Sequence, residues 1–453
     1  MLFSRVYFAS VAVVAVLATA PFASADTLAT ALAQTYNNNP TLNAMRAQLR
    51  AIDEGVPQAL SGYRPVLTGT ANAGLSTTRT SFGTTGLSPR TVALTIEQPI
   101  FRGFQTQNNV KQAESSVLAG RETLRSTEQD VLLDAVSAYT NVLQTQAILA
   151  LREQNIVFLK EQVRAAQDRL KVGEGTRTDL AQTEASLSAG QTDYDVAVAN
   201  LNTANATYLQ VIGIKPRSLT SPSFSDKALP KSVDAAIQVG LKNHPAILAA
   251  SYNVDTAAFN VKSIEGQLLP TVSLQGQVAH ADDSSSSMPW ANSATITANM
   301  TVPIYEGGVV YSQARQAKET LGQRRIQLDS ARDQVRSAVD SSWGNLEAAR
   351  AAIVSAQSQI KAAQLALEGV IEEQKVGQRT TLDVLNQQQS LIQARETLVI
   401  AQRAQIVAAY TVLSSMGALS AQKLSLKVQE YQPTQHYNAV RDKWIGLRTP
   451  DGR

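Results

Sequence analysis

His244, His280 and His436 are the side chains best suited to acid–base or metal chemistry, and each stands alone in sequence, away from the partners that a catalytic or ligating cluster needs. Cysteine is absent, which removes disulfides, thiol nucleophiles, thiolate metal sites and a cysteine-linked lipid anchor. There is no glycine-rich phosphate loop and no nucleophile elbow, and the 37 acidic residues are scattered over helical stretches as solvating charge. Neither an enzyme nor a resident metal or cofactor is expected. The formal charge is +3, 40 basic minus 37 acidic side chains, too small and too dispersed for a nucleic-acid partner. What remains is ionic and capping chemistry in two short segments, Lys171-Val172-Gly173-Glu174-Gly175-Thr176-Arg177-Thr178-Asp179-Leu180 and Lys375-Val376-Gly377-Gln378-Arg379-Thr380-Thr381-Leu382-Asp383-Val384. Gly173 and Gly377 fit left-handed ends of preceding helices, and Thr178-Asp179 and Thr381 to Asp383 begin new ones. Exposed ion pairs contribute little. On residue types alone Asp179 reads as a cap and Arg379 as a solvated charge.

The two segments are one repeat seen twice, at an offset of about 204 residues (Lys375 against Lys171). Other landmarks keep that spacing: Asn39-Pro40 and His244-Pro245, Arg64-Pro65 and Leu269-Pro270, Gln98-Pro99-Ile100 and Val302-Pro303-Ile304, Ile212-Gly213 and Met416-Gly417. Asn39 and His244 precede a proline at the first helical position. Helical sequence without proline runs over about 104–172 and 309–376 and returns over 177–212 and 381–416. About 67 residues at 1.5 Å each make a rod of roughly 100 Å, which must bury its apolar stripe against neighbours. That stripe is Ala135, Ala138, Tyr139 and Val142 in one half and Val339, Ser342, Trp343 and Leu346 in the other, with Tyr139 and Trp343 as packing knobs.

Alternation with period two marks strands at about 66–76 and 91–101, then 271–280 and 293–304, one hairpin per repeat, with turn-rich tips at Thr77 to Pro89 and Ala281 to Pro289. Such strands have the length of tilted transmembrane β-strands, and also suit a half-buried soluble hairpin. Four strands cannot close a barrel, and open edges are forbidden in lipid, so a membrane reading needs several chains in one barrel. Met1 to Ala25 reads as a cleaved secretory leader, with Arg5, an apolar run from Val11 to Ala20 and Ala23-Ser24-Ala25 before Asp26. The expected organisation is therefore leader 1–25, first repeat 26–213, linker 214–231 with Pro216, Pro222 and Pro230, second repeat 232–417, and a tail 418–453 without usable periodicity, expected to be partly disordered. Long helices alone would also suit a periplasmic adaptor or a surface coiled-coil protein, which would not explain two alternating hairpins at equivalent places.

With this duplicated order, and with Val376-Gly377-Gln378-Arg379-Thr380-Thr381-Leu382-Asp383-Val384-Leu385 close to its second-repeat motif, the chain from Leu28 to Leu419 resembles the TolC-like outer-membrane factor family. The resemblance implies a mainly α fold with a membrane β-barrel: a homotrimer, twelve strands in one barrel continued by a twelve-helix periplasmic α-barrel, with a periplasmic tail. It implies a gated exit path for drugs or secreted proteins, served by a periplasmic adaptor and an inner-membrane transporter of RND or ABC type, and embedded in outer-membrane lipid. The turns at Val172, Gly173, Val376 and Gly377 become the periplasmic tip. Arg379 becomes a latch reaching Thr178 and Asp179, and Asp383 an axial carboxylate ring at the pore constriction. Asn386 stands where relatives often carry a second acid, and Gln374 where some carry an aromatic latch, which implies a looser or less cation-selective gate. The cargo is not legible.

Overall fold

The computed structural model describes residues 26–224 and 229–452; the leader at 1–25 lies outside the described residues. The first repeat comprises α1 (Leu28–Asn38), α2 (Pro40–Asp53), α3 (Gly55–Leu60), β1 (Val66–Ala73), β2 (Ser76–Thr80), β3 (Gly83–Leu87), β4 (Arg90–Arg102), α4 (Gln105–Lys171) and α5 (Arg177–Ile212). The second comprises α6 (Val233–Asn243), α7 (Pro245–Glu265), β5 (Thr271–Ser285), β6 (Met288–Thr301), α8 (Val309–Lys375) and α9 (Thr381–Ser415), and α10 (Pro433–Val440) follows. The helix starts are built alike. Asn39 Oδ1 accepts from the N–H groups of Thr41 and Leu42 at 2.9 and 3.3 Å, and His244 Nδ1 accepts from Ala246 N–H at 3.2 Å, each ahead of a proline that has no N–H to satisfy. His244 is thus a helix cap. Burial, and Arg125 nearby, push its pKa down, which keeps Nδ1 free to accept.

The sheet order is β1-β4-β5-β6, all antiparallel. Leu67, Ile96, Gly276 and Ile296 stand opposite one another in one row, and Thr68, Thr95, Gln277 and Thr295 in the next. Opposed residues share a face and successive residues alternate, so the sheet has one apolar and one polar face. The apolar face is uncovered in the single chain: Ile296 is 80% exposed and Leu67 64%. On the polar face Gln277 Nε2 donates to Thr95 Oγ1 at 3.4 Å. A bulge between Pro99 and Phe101 turns Phe101 onto the apolar face opposite Val272. The outer edges of β1 and β6 have no strand partner among the described residues.

Two expectations about the tips need correction. Thr77 to Pro89 is not loop: β2 and β3 pair from Ser76↔Leu87 to Thr80↔Gly83 and carry a hairpin beyond the main sheet. Ala281 to Pro289 is mostly strand, with Ser285 paired to Met288 across two serines. Threonine and serine serve turns and strands alike, and β-branched threonine in paired register prefers the ladder. Ser88 N–H donates to Asp283 Oδ2 at 2.6 Å and ties the two tips together.

At the base of the sheet the repeats cross in backbone contact. A Cβ on Gly103, whose φ is +57°, would lie 2.1 Å from Gly266 O, and one on Gly266 would lie 2.2 Å from Gly103 O, so only glycine fits at either position. Below this crossing the main core gathers Leu32, Leu132, Tyr139, Tyr208, Ile212, Val339, Leu346, Val412, Met416 and Leu419. Tyr139 is fully buried, and its hydroxyl lies 2.7 Å from the carbonyls of Asp26 and Thr220 and accepts from Thr220 N–H at 3.1 Å. Its counterpart Trp343 is only partly buried and donates from Nε1 to Glu347 Oε1 at 3.0 Å.

The tail is ordered across its described length, against expectation. Leu419, Ala421 and Val440 are buried, Ala421 N–H donates to Glu128 at 2.8 Å, and Tyr431 N–H donates to the Tyr36 hydroxyl at 3.0 Å. His436 does not stand alone either: its Nδ1 is 3.0 Å from Oδ2 of fully buried Asp53. Single anchors pin this segment one residue at a time, so it has no period to read. We expect Tyr139→Phe, which removes the hydroxyl's bonds and leaves Thr220 N–H with Asp26 O at 3.3 Å, to cost about 0.5–1.5 kcal/mol. The midpoint of denaturation of the purified protein measures it; an unchanged midpoint would show that the hydroxyl does not hold the linker.

Candidate functional site at the helical tip

The turns that end α4 and α8 are the same structure twice. After α4, Gly173 adopts φ +83°, its N–H donates to Leu170 O at 3.2 Å, and Glu174 N–H donates to Arg169 O at 2.9 Å. After α8, Gly377 adopts φ +78°, with Gly377 N–H to Gln374 O at 3.0 Å and Gln378 N–H to Glu373 O at 2.9 Å. Both are Schellman caps, and the left-handed residue must be glycine because nothing else holds that conformation cheaply. Val172 and Val376, just before, are exposed.

The returning helices begin with paired capping boxes. Thr176, not Thr178, is the first N-cap: its Oγ1 accepts from Asp179 N–H at 3.1 Å while Asp179 Oδ2 accepts from Thr176 N–H at 3.2 Å and from Thr176 Oγ1 at 2.7 Å. Thr380 and Asp383 repeat the arrangement at 3.2, 2.9 and 2.8 Å. The Thr380 backbone and side-chain hydrogen bonds hold the Asp383 carboxyl below the usual carboxylate range, with a smaller contribution from Arg379. Asp383 therefore stays ionised to unusually low pH. Asn386 lies exposed on α9, one turn further on.

Within the chain Arg379 does not meet Thr178 or Asp179. Its Nε donates to Glu373 Oε2 at 2.8 Å, and Asp179 is engaged by Thr176. A partner six residues away on the same turn is reached with less ordering than one on another helix pair. Gln374 Nε2 donates to Thr381 Oγ1 at 3.1 Å, bracing the second turn where an aromatic residue is missing. Among the described residues no hydrogen bond or ion pair joins the first turn to the second.

The helix pairs are gripped higher up. Arg152 of α4 lies 2.8 Å from Asp193 of α5 and 2.7 Å from Glu396 of α9, and the side chains of Arg152 and Glu396 are each only 16% exposed. Burial pushes the Glu396 pKa up, against the opposing pull of Arg152. Gln388 Nε2 donates to Asn155 Oδ1 at 3.2 Å, and Phe158 packs on Leu367, Val384 and Leu391. Arg152 is nineteen residues, about 29 Å of helix, above the end of α4. Sequence reading passed over Thr176, Thr380, Glu373 and this grip. Two Thr-x-x-Asp motifs at one offset signal the capping boxes. Nothing local signals Arg152, whose partners lie 41 and 244 residues away.

Comparison with known proteins agrees with this duplicated architecture. Residues 31–213 and 236–418 match the outer membrane efflux protein family, one match per repeat. The chain is 48% identical over 433 residues to the outer membrane efflux protein BepC of Brucella suis, covering 95% of this chain and 94% of that one. It is 25% identical over 318 residues to the outer membrane protein TolC of Escherichia coli, covering 67% and 64%. The fold matches the Campylobacter jejuni CmeC outer membrane channel with a TM-score of 0.79 at 15% identity, over 92% of this chain and 89% of that one. With both repeats matched and nearly the whole chain shared with a relative at that identity, the protein belongs to the outer membrane efflux protein family.

Proposed function

We propose that three copies of this chain close one twelve-stranded barrel in the outer membrane and continue it as a twelve-helix tunnel through the periplasm. The assembly is a passive, gated exit path for drugs or secreted proteins that an inner-membrane pump of RND or ABC type delivers through a periplasmic adaptor. The observation that carries this reading is the sheet: one apolar face, one polar face and two open edges, β1 and β6. In hydrocarbon those edges must be paired, and the only strands of matching length on offer belong to other copies. Closed that way, the apolar face meets lipid and the row of Thr68, Thr95, Gln277 and Thr295 lines water. The leader is cleaved on export and the mature chain carries no lipid.

At the tip, Asp383 from each copy converges on the axis and favours cations, and Arg379 latches the tip by exchanging Glu373 for Thr178 and Asp179. Both partners are exposed, so the exchange is close to neutral and docking of adaptor and pump can decide it. Reconstitution in planar bilayers tests the whole reading: the purified protein should run as a trimer in detergent and open discrete cation-selective channels. A water-soluble monomer would overturn it.

Four substitutions follow. Arg379→Ser and Asp179→Asn should each raise single-channel conductance; if only the first does, the arginine works through Glu373 and the latch assignment fails. Asp383→Ala should lower cation selectivity and weaken block by multivalent cations, and block of wild-type strength would place Asp383 off the axis. Thr380→Val removes the hydroxyl's share of the hydrogen bonding that depresses the Asp383 pKa and keeps the backbone N–H bond to Oδ2. A depressed carboxyl stabilises the cap above its unfolded pKa of about 3.9 and loses that contribution as pH falls through the lower folded value. The pH midpoint for loss of cation block should therefore move upward in Thr380→Val, and an unmoved midpoint would separate the cap from the pore.

A further inference from the structure

The loop after α10 carries three large apolar side chains in four residues, all outside the core: Trp444 is 65% exposed, Ile445 89% and Leu447 102%. The loop is nevertheless held in shape. Lys443 Nζ donates back to Arg448 O, and Gly446 makes the turn at φ +112°. Its position is fixed from two sides. Arg441 lies 3.6 Å from Glu114, nine residues into α4 and about 14 Å below the start of that helix. Two residues later Lys443 O accepts from Arg64 Nη1 at 2.9 Å, and the Arg64 guanidinium sits 4.8 Å from the centre of the Trp444 ring. Arg64 stands two residues before β1, so the chain has climbed to the base of the sheet and stops there.

The surface it joins is already apolar and aromatic. Tyr63, Ile100, Phe104, Ile304 and Tyr305, all at strand bases, are exposed, and Phe104 packs edge-to-face on Phe101 at 5.1 Å. Tryptophan and tyrosine beside basic side chains are the composition of a membrane–water boundary, where rings sit at headgroup depth and guanidinium groups meet phosphate. Arg64, Arg102 and Arg448 supply those cations.

We infer that Trp444, Ile445 and Leu447 form an interfacial anchor that inserts into the periplasmic leaflet of the outer membrane, with Arg64 and Arg448 on phospholipid headgroups. It is a noncovalent foothold in a chain with no cysteine to acylate. The inference rests on the reading of β1 and β4 to β6 as a lipid-facing wall.

Depth-dependent quenching tests it. The chain has three tryptophans, so Trp290→Phe with Trp343→Phe leaves Trp444 as sole reporter. The full-length protein is reconstituted in phosphatidylcholine and phosphatidylglycerol vesicles containing lipids brominated at shallow, middle or deep acyl positions. Trp444 should be quenched at least about twofold more by shallow than by deep bromines, as an interfacial ring requires. Adding Ile445→Asp with Leu447→Asp should abolish most of that quenching. Ile296→Trp, in a background with all three native tryptophans replaced by phenylalanine, reports the wall and should be quenched most by deep bromines. If Ile296→Trp is quenched and Trp444 is not, the anchor is wrong and the wall stands. Trp444 shielded from both bromolipid and aqueous iodide would mean that a neighbouring protein surface covers it, which also overturns the anchor. If neither reporter is quenched, the wall fails and the anchor with it.

Discussion

Unpaired backbone at the edges of β1 and β6 is the constraint on which the rest of the molecule depends. Among the described residues no helix is long and apolar enough to cross a bilayer. In the function proposed above it is the sheet, with its uncovered apolar face, that spans the lipid. Each N–H or C=O left open in hydrocarbon costs several kcal/mol, so a four-stranded sheet there is incomplete by construction. The cross-strand rows suit the completion we propose: apolar positions lie mostly on one face of the four strands, and polar positions on the other. The helices then inherit their spacing from the strands. α4 follows β4 after the Gly103 turn, and α8 follows β6 after Gly307 and Gly308, with φ of +66° and +84°. Each repeat thus passes from a strand of the sheet through a glycine turn straight into a long helix.

Duplication supplies two similar halves, and the structure uses them unequally. Tyr139 is locked beneath the inter-repeat linker, whereas Trp343 reaches only a glutamate on its own helix. The second turn has Arg379, Glu373 and Gln374 bracing it, and α9 starts on a small core of Val384, Leu391 and Leu367. The first turn has its cap, its capping box and the exposed Lys171–Asp168 pair, with no counterpart of the Arg379 and Gln374 ties among the described residues. Equal backbones with unequal side-chain ties make one helix pair the stiffer arm.

Periodic and punctuated features were legible in the sequence. Both long helices, the prolines at helix starts, the glycines at the turns and the polar and apolar faces of the main strands follow from local rules that hold wherever such residues occur. What escaped depends on residues meeting from far away. Asp53 and His436 are 383 positions apart, and the tail is pinned by Leu419, Ala421 and Val440 singly, so no window of sequence shows a pattern. The β2–β3 hairpin escaped for another reason: threonine and serine serve turns and ladders alike, and only pairing decides between them. At the tip the Thr-x-x-Asp motifs are present in the sequence, and the caps lie two residues before Thr178 and one before Thr381.

The two ionic features of the long helix pairs differ in exposure, and that difference bears on how the proposed gate works. Arg152 and Glu396 are mostly shielded, so their pair is held by a low local dielectric and resists salt. Arg379 and Glu373 are about half exposed, and a pair of that kind contributes about 0–1 kcal/mol. A helix pair clamped firmly about 29 Å above its end and tied loosely at the end moves as a lever about the clamp. Thermal energy of about 0.6 kcal/mol is comparable to the loose tie, so the tip's position is decided by whatever surface docks against it. For the gated exit path proposed above, that division puts rigidity where the helix pairs meet and near-neutrality where they end.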